Sequence, residues 1–551
     1  MNRGIKNDME QLRKLFIMPN SPDKFIEFGT ELLDLIHNFF QEKGGIHSSI
    51  SLIDLAKLFS NTKIPQKSYL LKDVLLEIKN KIVAHSVKVG NPYYIGHMTS
   101  AIPYFTILLE MIIAALNQNQ VKVESAKAST FVEKEFIAWM HRLIYNRKES
   151  FYKKFIQNRT TSLGNITVDG TMANLTAMLV ARNKAFKPKE GFPGIRKTGL
   201  YQAFQHYNYE RAVILVSNRA HYSFNKIARI IGIGSNNVVK IKTDSYNRIN
   251  LEELQKVCQE IKQNNDLGIK RTKILAIIGI AGTTETGNID NLKGIRKIAS
   301  EHKIHFHVDA AWGGSLLLVD EFRHLLKGIE QADSVTLDAH KLLYSPVSLG
   351  ISIFRNQTDL KYLIHNANYI IRTDSVDLGR FTIEGSRSFS ILKPWATLKI
   401  FGKNGFKLLF ENAFELTAIF RELLEIHYNF EVTNHPELFI VNYRFIPETI
   451  KEKISVAFSK GKKKSINKMN ILLNELNIEL HKALREEDSS FVSRTSLSLN
   501  KYFNNNIVIL RAILINPLTT SQILKEIITT QNEIGSKIYK KEFSKKFKTI
   551  S

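Results

Sequence analysis

The chain has 551 residues, 44% of them hydrophobic and 23% charged, a composition that supports large buried cores and excludes a disordered chain. At roughly 150 residues per domain, this length allows two to four domains. Lys and Arg number 77 against 52 Asp and Glu, a net charge of +25, and the lone cysteine, Cys258, excludes a disulfide scaffold and favours a reducing cytoplasm.

The positive charge is dispersed along the chain and is dense only at Lys460–Lys464 and Lys537–Lys548. Neither cluster has zinc-finger spacing, an RNP-type aromatic run or following heptads, so we expect solvated surface and no specific nucleic acid, with nonspecific polyanion contact as the alternative. The first twenty residues do not resemble a secretory signal. The longest apolar run, Ile107–Leu116, contains Glu110 and is shorter than the roughly 18 residues of a membrane span, so a soluble protein is expected.

Helical periodicity dominates residues 1–90, most clearly over Lys24–Gln41 and Ser68–Val83. Residues 91–410 differ, because short β-branched runs alternate there with helix-length segments. These runs are Ala212–Ser217, Val238–Ile241, Ile274–Ile280, Ile304–Val308, Ser334–Leu337 and Ile351–Phe354. Fully apolar strands of this kind are typical of a mostly parallel α/β sheet covered on both faces, in which ligands lie at the carboxyl ends of the strands.

The pattern changes again after about residue 410. Strands are predicted within Phe430–Phe445 and at Ile507–Ile515, and helices at Ile466–Leu484 and from Thr520 onward. We therefore predict an N-terminal helical segment, 1–90, a large α/β domain, 91–410, and a small C-terminal α+β domain, 411–551.

Two predicted strands are followed by residues of complementary chemistry. Asp309 follows the strand Ile304–Val308, and Lys341 follows the strand Ser334–Leu337. A pyridoxal phosphate (PLP) site requires this pair, because a lysine forms the Schiff base and an acid keeps the pyridinium nitrogen protonated, so that the ring can accept electrons. Each residue alone has a simpler explanation, since Asp commonly caps turns and Lys commonly lies at the surface.

Three further pieces of such a site are present. Gly170, Thr171 and Met172 open a predicted helix whose N-terminal N–H groups suit a phosphate. His221 lies just beyond the strand Ala212–Ser217, where a planar group could cover the ring. Thr283 follows the strand Ile274–Ile280, where a cofactor edge would lie.

In this order and spacing, five segments resemble the PLP-dependent group II amino-acid decarboxylases of the glutamate, aspartate, tyrosine and aromatic type. The segments are DGTMAN (169–174), SNRAHYSFNKIA (217–228), AGTTETGNID (281–290), HVDAAWGGSLLL (307–318) and DSVTLDAHKLL (333–343). The resemblance extends from about Asn91 to the C-terminal helix. It implies a fold-type-I, aspartate-aminotransferase-like large domain, a small C-terminal domain and a homodimer with active sites at the subunit interface.

The resemblance also implies roles for individual residues. Lys341 matches the Schiff-base lysine, Asp309 the pyridinium partner and His221 the residue stacked over the ring. The other implied cofactor contacts are Gly170, Thr171, Met172, Thr283, Ala311 and His340. Arg511 matches an arginine that binds the substrate carboxylate, for which its planar fork of donors is suited, and His97 lies in a segment that lines the substrate side pocket, where relatives often carry Gln.

The sequence departs from the family pattern at two places. Relatives carry a tyrosine in a loop after the lysine that protonates the carbanion, but Val376 aligns there, and the nearest tyrosine is Tyr369. We therefore take Tyr369 as the candidate acid. Asp338 stands where some relatives have Asn, and an anion near the phosphate would need protonation or a cationic neighbour.

The resemblance implies α-decarboxylation of an acidic L-amino acid. It is strongest to the bacterial L-aspartate 1-decarboxylase subgroup, which makes β-alanine for pantothenate. Glutamate decarboxylation to γ-aminobutyrate is the alternative, because Arg511 and a basic protein suit either acid. Another fold-type-I reaction and, from a different class, a degenerate homologue that binds a polyanion without catalysis are the remaining interpretations.

Overall fold

The computed structural model describes residues 9–10, 12–42, 45–364, 375–499, 502–503 and 505–550. The larger of its two sheets has seven strands: β1 (Gly164–Thr167), β2 (Arg211–Ser217), β3 (Val238–Ile241), β4 (Thr272–Ile280), β5 (His305–Asp309), β6 (Ser334–Asp338) and β7 (Gly350–Phe354). Their spatial order is β1-β7-β6-β5-β4-β2-β3. Of these strands, only β7 runs antiparallel to its neighbours. The predicted mostly parallel sheet is confirmed.

Helices cover both faces of the large sheet. Alternate residues of β2 point to opposite faces, so that Ile214 and Val216 pack in one core and Val213 and Leu215 in the other. The helices up to the end of this region are α1 (Phe25–Gln41), α2 (Leu52–Leu58), α3 (Leu71–Glu77), α4 (Tyr104–Leu116), α5 (Val123–Ala126), α6 (Ala128–Tyr145), α7 (Glu149–Phe155), α8 (Gly170–Ala185), α9 (Ile195–Tyr207), α10 (Ser223–Ile230), α11 (Leu251–Asp266) and α12 (Leu292–Glu301).

A second sheet follows in the chain. It is antiparallel, with strands β8 (Phe430–Val432), β9 (Ile440–Phe445), β10 (Ser493–Leu499) and β11 (Asn505–Ile513) in the order β10-β11-β9-β8. The remaining helices are α13 (Leu392–Ile426), α14 (Glu448–Ser459), α15 (Lys463–Glu486), α16 (Ser521–Ile538) and α17 (Ser544–Lys548).

Helix α13 joins the two cores. Phe406 and Phe410 pack in a core of the large sheet, whereas Phe420 and Leu424 pack in the core of the small sheet. The chain therefore passes from one core to the other within a single helix, close to residue 410. The domain boundaries at 90/91 and 410/411 stay predictions.

The N-terminal helices α1, α2 and α3 have no buried residue. Just after α1, however, the N–H groups of Ile46 and His47 donate to Oδ1 of Asp488 at 2.8 and 3.0 Å, and Ile46 is buried. This segment is therefore tied to the small-sheet region through Asp488, while many apolar side chains of its helices are exposed. Among the described helices, none has the length and apolarity to cross a bilayer.

Candidate active site

The predicted site residues meet at the carboxyl edge of the large sheet. β5 ends at Asp309 and β6 ends at Asp338, and these strands are parallel neighbours in which Asp309 pairs with Thr336. Helix α8 begins against the same edge, because a Cβ on Gly170 would lie 2.8 Å from both carboxylate oxygens of Asp338. A larger residue at position 170 would therefore push the Asp338 carboxylate away from the start of the helix.

Asp309 is a buried carboxylate that accepts two hydrogen bonds. Nδ2 of Asn174 donates to Oδ2 at 3.0 Å, and the backbone N–H of Ala311 donates to Oδ1 at 3.2 Å. Burial raises the pKa of Asp309, and the nearby charges of Lys341 and His221 lower it, as do these two donors. The carboxylate is thus placed to be ionised when a cation approaches it.

Lys341 lies one turn beyond β6, and its Nζ donates to Oδ2 of Asp338 at 2.9 Å. Nε2 of His340 lies 3.7 Å from the same oxygen, while Oδ1 of Asp338 has no hydrogen-bond partner in the described part of the chain. The cationic neighbour that the sequence required for Asp338 is therefore the site lysine itself, with His340 beside it.

His221 lies in the turn after β2, half-buried. Burial lowers its pKa; Asp309 and Asp338 act in the opposite direction, and the positive charge of Lys341 adds to the lowering. These mutual effects place the imidazole, the amine and the carboxylate of Asp309 within electrostatic reach of one another. The arrangement brings together the lysine, the acid and the ring-stacking residue that the sequence predicted.

The N-terminus of α8 supplies free donors. Oδ1 of Asp169 accepts from the N–H of Met172 at 2.8 Å and caps the helix. The N–H groups of Gly170 and Thr171 donate to none of the described residues, and these donors suit an anion at the positive end of the helix. The main-chain donor of Met172, in contrast, is already used by the cap.

Arg511 lies on β11 and faces the site from the small sheet. Nη1 donates to Oγ of Ser493 at 3.0 Å, and Nε is buried with no partner among the described residues. Burial lowers the pKa of Arg511 to about 10, and the charge of Glu285 raises it. The guanidinium is therefore still protonated at neutral pH and has donors left for an anion.

His97 is brought beside Arg511 by backbone pairing with β11. The N–H of Ile513 donates to the carbonyl of Ile95 at 2.6 Å, and the ring of Tyr94 stacks on Phe491 with centroids 4.5 Å apart. His97 itself is solvent-exposed at the mouth of the site. Surrounding protein still lowers its pKa by desolvation, and the positive charges of Arg511, Lys341 and His340 add to this. Four cationic or potentially cationic groups thus face one another here.

The remaining predicted residues lie as follows. Thr283 is buried, and its hydroxyl bonds Thr286 at 2.7 Å and accepts from the N–H of Asn288, so it stabilises the turn after β4. Ala311 is half-buried next to Asp309. Val376 is described and half-buried, whereas Tyr369, the candidate acid, lies outside the described residues.

Sequence reasoning missed the polar groups behind Asp309. Asn174 was quoted only as part of a motif, and His307 and Ser334 were assigned no role. His307 is fully buried; its Nε2 is bonded to Oδ1 of Asn174 at 2.9 Å and its Nδ1 to Oγ of Ser334 at 2.8 Å. The available signal was the strand HFHVD, in which His305, His307 and Asp309 alternate with apolar residues and so share one face.

The residues present fit PLP. A buried acid with a fixed orientation suits the pyridine nitrogen, the amine of Lys341 lies just beyond the end of the neighbouring strand, and the N–H groups of Gly170 and Thr171, unpartnered among the described residues, suit a phosphate. Hydrogen-bonding groups left without partners at one sheet edge are what a bound polar molecule would satisfy.

Comparison with known proteins agrees with this chemistry. Residues 55–446 match the pyridoxal-dependent decarboxylase conserved domain. The chain belongs to this family. The family resemblance predicted from the sequence, the PLP cofactor and the fold-type-I architecture are confirmed.

Two relatives and a solved structure are similar to this decarboxylase. Aspartate 1-decarboxylase from Aliivibrio fischeri is 38% identical over 535 residues, which cover 97% of this chain and 96% of that protein. Cysteine sulfinic acid decarboxylase from Mus musculus is 27% identical over 392 residues, 69% of this chain and 73% of that protein. The Oryza sativa TDC structure with PLP and tryptamine has a TM-score of 0.78 at 18% identity and covers 95% of this chain and 99% of that one, which shows the shared fold.

Proposed function

We propose that this PLP-dependent decarboxylase removes the α-carboxylate of L-aspartate and releases β-alanine and CO2. The observation that carries an acidic substrate is Arg511, whose buried Nε has no hydrogen-bond partner among the described residues and whose charge, like that of the site lysine, acts on His97. The choice of aspartate is supported by 38% identity over nearly the whole chain to the protein named aspartate 1-decarboxylase. A use of β-alanine for pantothenate and a cytoplasmic location stay predictions.

The chain's own residues hold the reactants. Lys341 would hold the cofactor covalently, and Oδ2 of Asp338, 2.9 Å from its Nζ, would keep the lysine amino group at the site. Asp309 would accept a hydrogen bond from the pyridine nitrogen, and His221 would cover the ring. The bound PLP supplies an electron sink for the pair of electrons left by the departing carboxylate.

Arg511 orients the substrate. Its guanidinium binds the side-chain carboxylate through two parallel N–H donors, while Ser493 holds Nη1 from the other side. The α-carboxylate is then free to point away from this cation and to leave as CO2. A proton must next be delivered to the α-carbon, and Tyr369 remains the sequence-based candidate for that step.

Product analysis tests the proposed substrate. Purified enzyme with PLP is incubated with L-aspartate, L-glutamate, cysteine sulfinate and L-tyrosine in parallel, and the amines are separated and quantified. We expect β-alanine from aspartate to form fastest. A preference for glutamate would be consistent with Arg511 as the carboxylate ligand but would show that the substrate is not aspartate. A preference for tyrosine would contradict an acidic substrate.

We further propose that the enzyme is a homodimer and that α1, α2 and α3 pack on the partner. Several large apolar side chains of α1 are exposed to solvent, with exposed fractions of 53% for Phe25, 76% for Ile26 and 53% for Phe40. Apolar surface of this extent is typical of an interface. Sedimentation equilibrium tests this: a monomer at micromolar concentration would contradict it, and a chain lacking residues 1–41 should dissociate more readily.

A further inference from the structure

A continuous hydrogen-bond chain runs from Asp309 to the opposite end of the large sheet. After the bond between Asn174 and Oδ2 of Asp309 at 3.0 Å, Oδ1 of Asn174 meets Nε2 of His307 at 2.9 Å. Nδ1 of His307 meets Oγ of Ser334 at 2.8 Å, and the same oxygen meets Nε2 of His305 at 2.8 Å. These four contacts link residues of α8, β5 and β6 through the buried core.

The direction of donation along this chain follows from its two ends. An ionised carboxylate only accepts, so the NH2 group of Asn174 faces Asp309 and its carbonyl oxygen faces His307. His307 must then carry its proton on Nε2 and accept at Nδ1 from the hydroxyl of Ser334. Because that hydroxyl has a single proton, Ser334 accepts in turn from Nε2–H of His305, whose buried Nδ1 has no partner among the described residues.

We propose that Asn174, His307 and Ser334 are positioning residues that hold Asp309 ionised and aimed at the pyridine nitrogen of PLP. Every donor in the chain points toward the carboxylate, so each bond polarises the next one and strengthens the final bond to Oδ2. The proposal rests on the role of Asp309 given above and not on the identity of the substrate.

The charge state of the chain supports this role. Burial lowers the pKa of His307 to about 3, and the neighbouring His305 adds to the lowering, so His307 is a neutral dipole at working pH. Around Asp309 the facing groups are Lys341 and His221 in addition to the donors of Asn174 and Ala311. His305, at the far end, faces Asp333, Asp359, Lys184 and Arg296 beside a cavity of about 450 Å³.

The first experiment measures binding of PLP to the apoprotein by fluorescence quenching between pH 5 and 9. Replacement of His307 by Leu removes the donor to Asn174, and we expect up to about tenfold weaker PLP binding at pH 7.5, the order of the effect of losing one hydrogen bond between neutral groups. The acid limb of the binding profile should move up by about one pH unit, because Asp309 then ionises less readily. His307→Gln, which retains an N–H in place of Nε2–H, should restore most of the affinity.

His141→Gln is the matched control. His141 is also fully buried in the same core, burial also lowers its pKa to about 3, and its Nδ1 bonds the hydroxyl of Tyr152 at 3.0 Å, away from Asp309. We expect this variant to lower thermal stability but to leave both the PLP affinity and its pH profile unchanged. Equal PLP affinities and profiles for His307→Leu and His141→Gln would overturn the proposal.

A second measurement determines the direction of hydrogen-bond donation from His307. The enzyme is labelled with ¹⁵N-histidine and PLP is bound, and the signals of His307 are assigned as those that are absent from the spectrum of His307→Gln. We expect their chemical shifts to be those of a neutral ring protonated on Nε2. Protonation on Nδ1 would overturn the proposal. The variant Asp309→Asn distinguishes the role of Asp309 from the role of the hydrogen-bond chain behind it. If its PLP affinity is unchanged, the role of Asp309 is rejected. If Asp309→Asn binds PLP more weakly but His307→Leu binds it as well as the wild type, only the role of the hydrogen-bond chain is rejected.

Discussion

Asp309, at the cofactor edge of the large sheet, and Arg511, at the substrate edge of the small sheet, differ in how fully their side chains are hydrogen-bonded. Both oxygens of Asp309 accept hydrogen bonds, and both ring nitrogens of His307 behind it are used. Arg511, in contrast, makes one side-chain bond and keeps a buried Nε without a described partner, and His97 is exposed. A carboxylate that supports a resident cofactor can be held in one orientation, whereas a guanidinium whose ligand leaves in each cycle must keep free donors.

The strongest test of the cofactor edge is Lys341→Ala. We expect decarboxylation to fall at least about 10³-fold, because the nucleophilic amine is lost, and borohydride treatment should no longer attach the cofactor to the chain. Lys134→Ala is the control, since burial lowers the pKa of Lys134 to about 8 but its Nζ donates to the carbonyl of Asn158. Mass spectrometry of the reduced proteins measures the outcome; attachment retained in Lys341→Ala would refute the assignment.

Arg511→Gln tests the substrate edge. Loss of charged hydrogen bonds to a carboxylate should reduce kcat/KM for the acidic substrate about 10- to 100-fold, while PLP affinity stays unchanged. Arg494→Gln is a suitable control, because Arg494 pairs with Leu510 on the neighbouring strand and is exposed. Steady-state kinetics with aspartate measure kcat/KM for both variants. An equal loss of kcat/KM in Arg511→Gln and Arg494→Gln would show that the substrate requires general positive charge and not Arg511.

His97 should make substrate binding depend on pH. Because desolvation and its cationic neighbours lower the pKa of His97, the ring is neutral at pH 7.5 and becomes charged only below its ordinary range. A second positive charge beside Arg511 then attracts the substrate carboxylate, so KM for aspartate should fall about fivefold when the pH drops from 7.5 to below the lowered pKa of His97. In His97→Gln, KM for aspartate should not change over this pH range. If its KM depends on pH as in the wild type, the titrating group is a different residue.

The smallest expected effect lies outside both edges. Asn250 caps α11 by accepting from the N–H of Glu253 at 2.9 Å, on a helix that only covers the sheet. Asn250→Ala should lower the free energy of unfolding by about 1 kcal/mol, measured by urea denaturation, with KM and PLP affinity unaltered. A change in either of those two constants would mean that the covering helices influence the site.

Much of the large sheet could be predicted from the sequence, because its central strands are apolar on both faces. The run Ile274–Ile280 lies within β4, and Ser334–Leu337 lies within β6. Two strands were not predicted. β1 has only four residues, one of them glycine, and β10 (SRTSLSL) is polar because much of it faces solvent; neither carries the apolar run that marks a buried strand.

The site was predictable to the extent that its residues follow strands. Asp309 and Lys341 could be paired because the ends of adjacent parallel strands meet at one edge. Arg511 could be singled out only through the family resemblance, since nothing local distinguishes it from other arginines. The contact between Asn174 and His307 joins residues 133 positions apart, so no local pattern contains it, and Tyr369 stays a sequence prediction.

The neighbouring positions of β5 and β6 have a consequence for how such enzymes diversify. The groups proposed to hold the two sides of PLP are Asp309, which ends β5, and Lys341, three residues beyond β6, and these two strands are hydrogen-bonded neighbours about 4.8 Å apart. The distance between the two groups is therefore set within the large sheet. Arg511 belongs to a different sheet. Selection can therefore exchange one amino acid for another as substrate without disturbing the distance on which the shared chemistry depends.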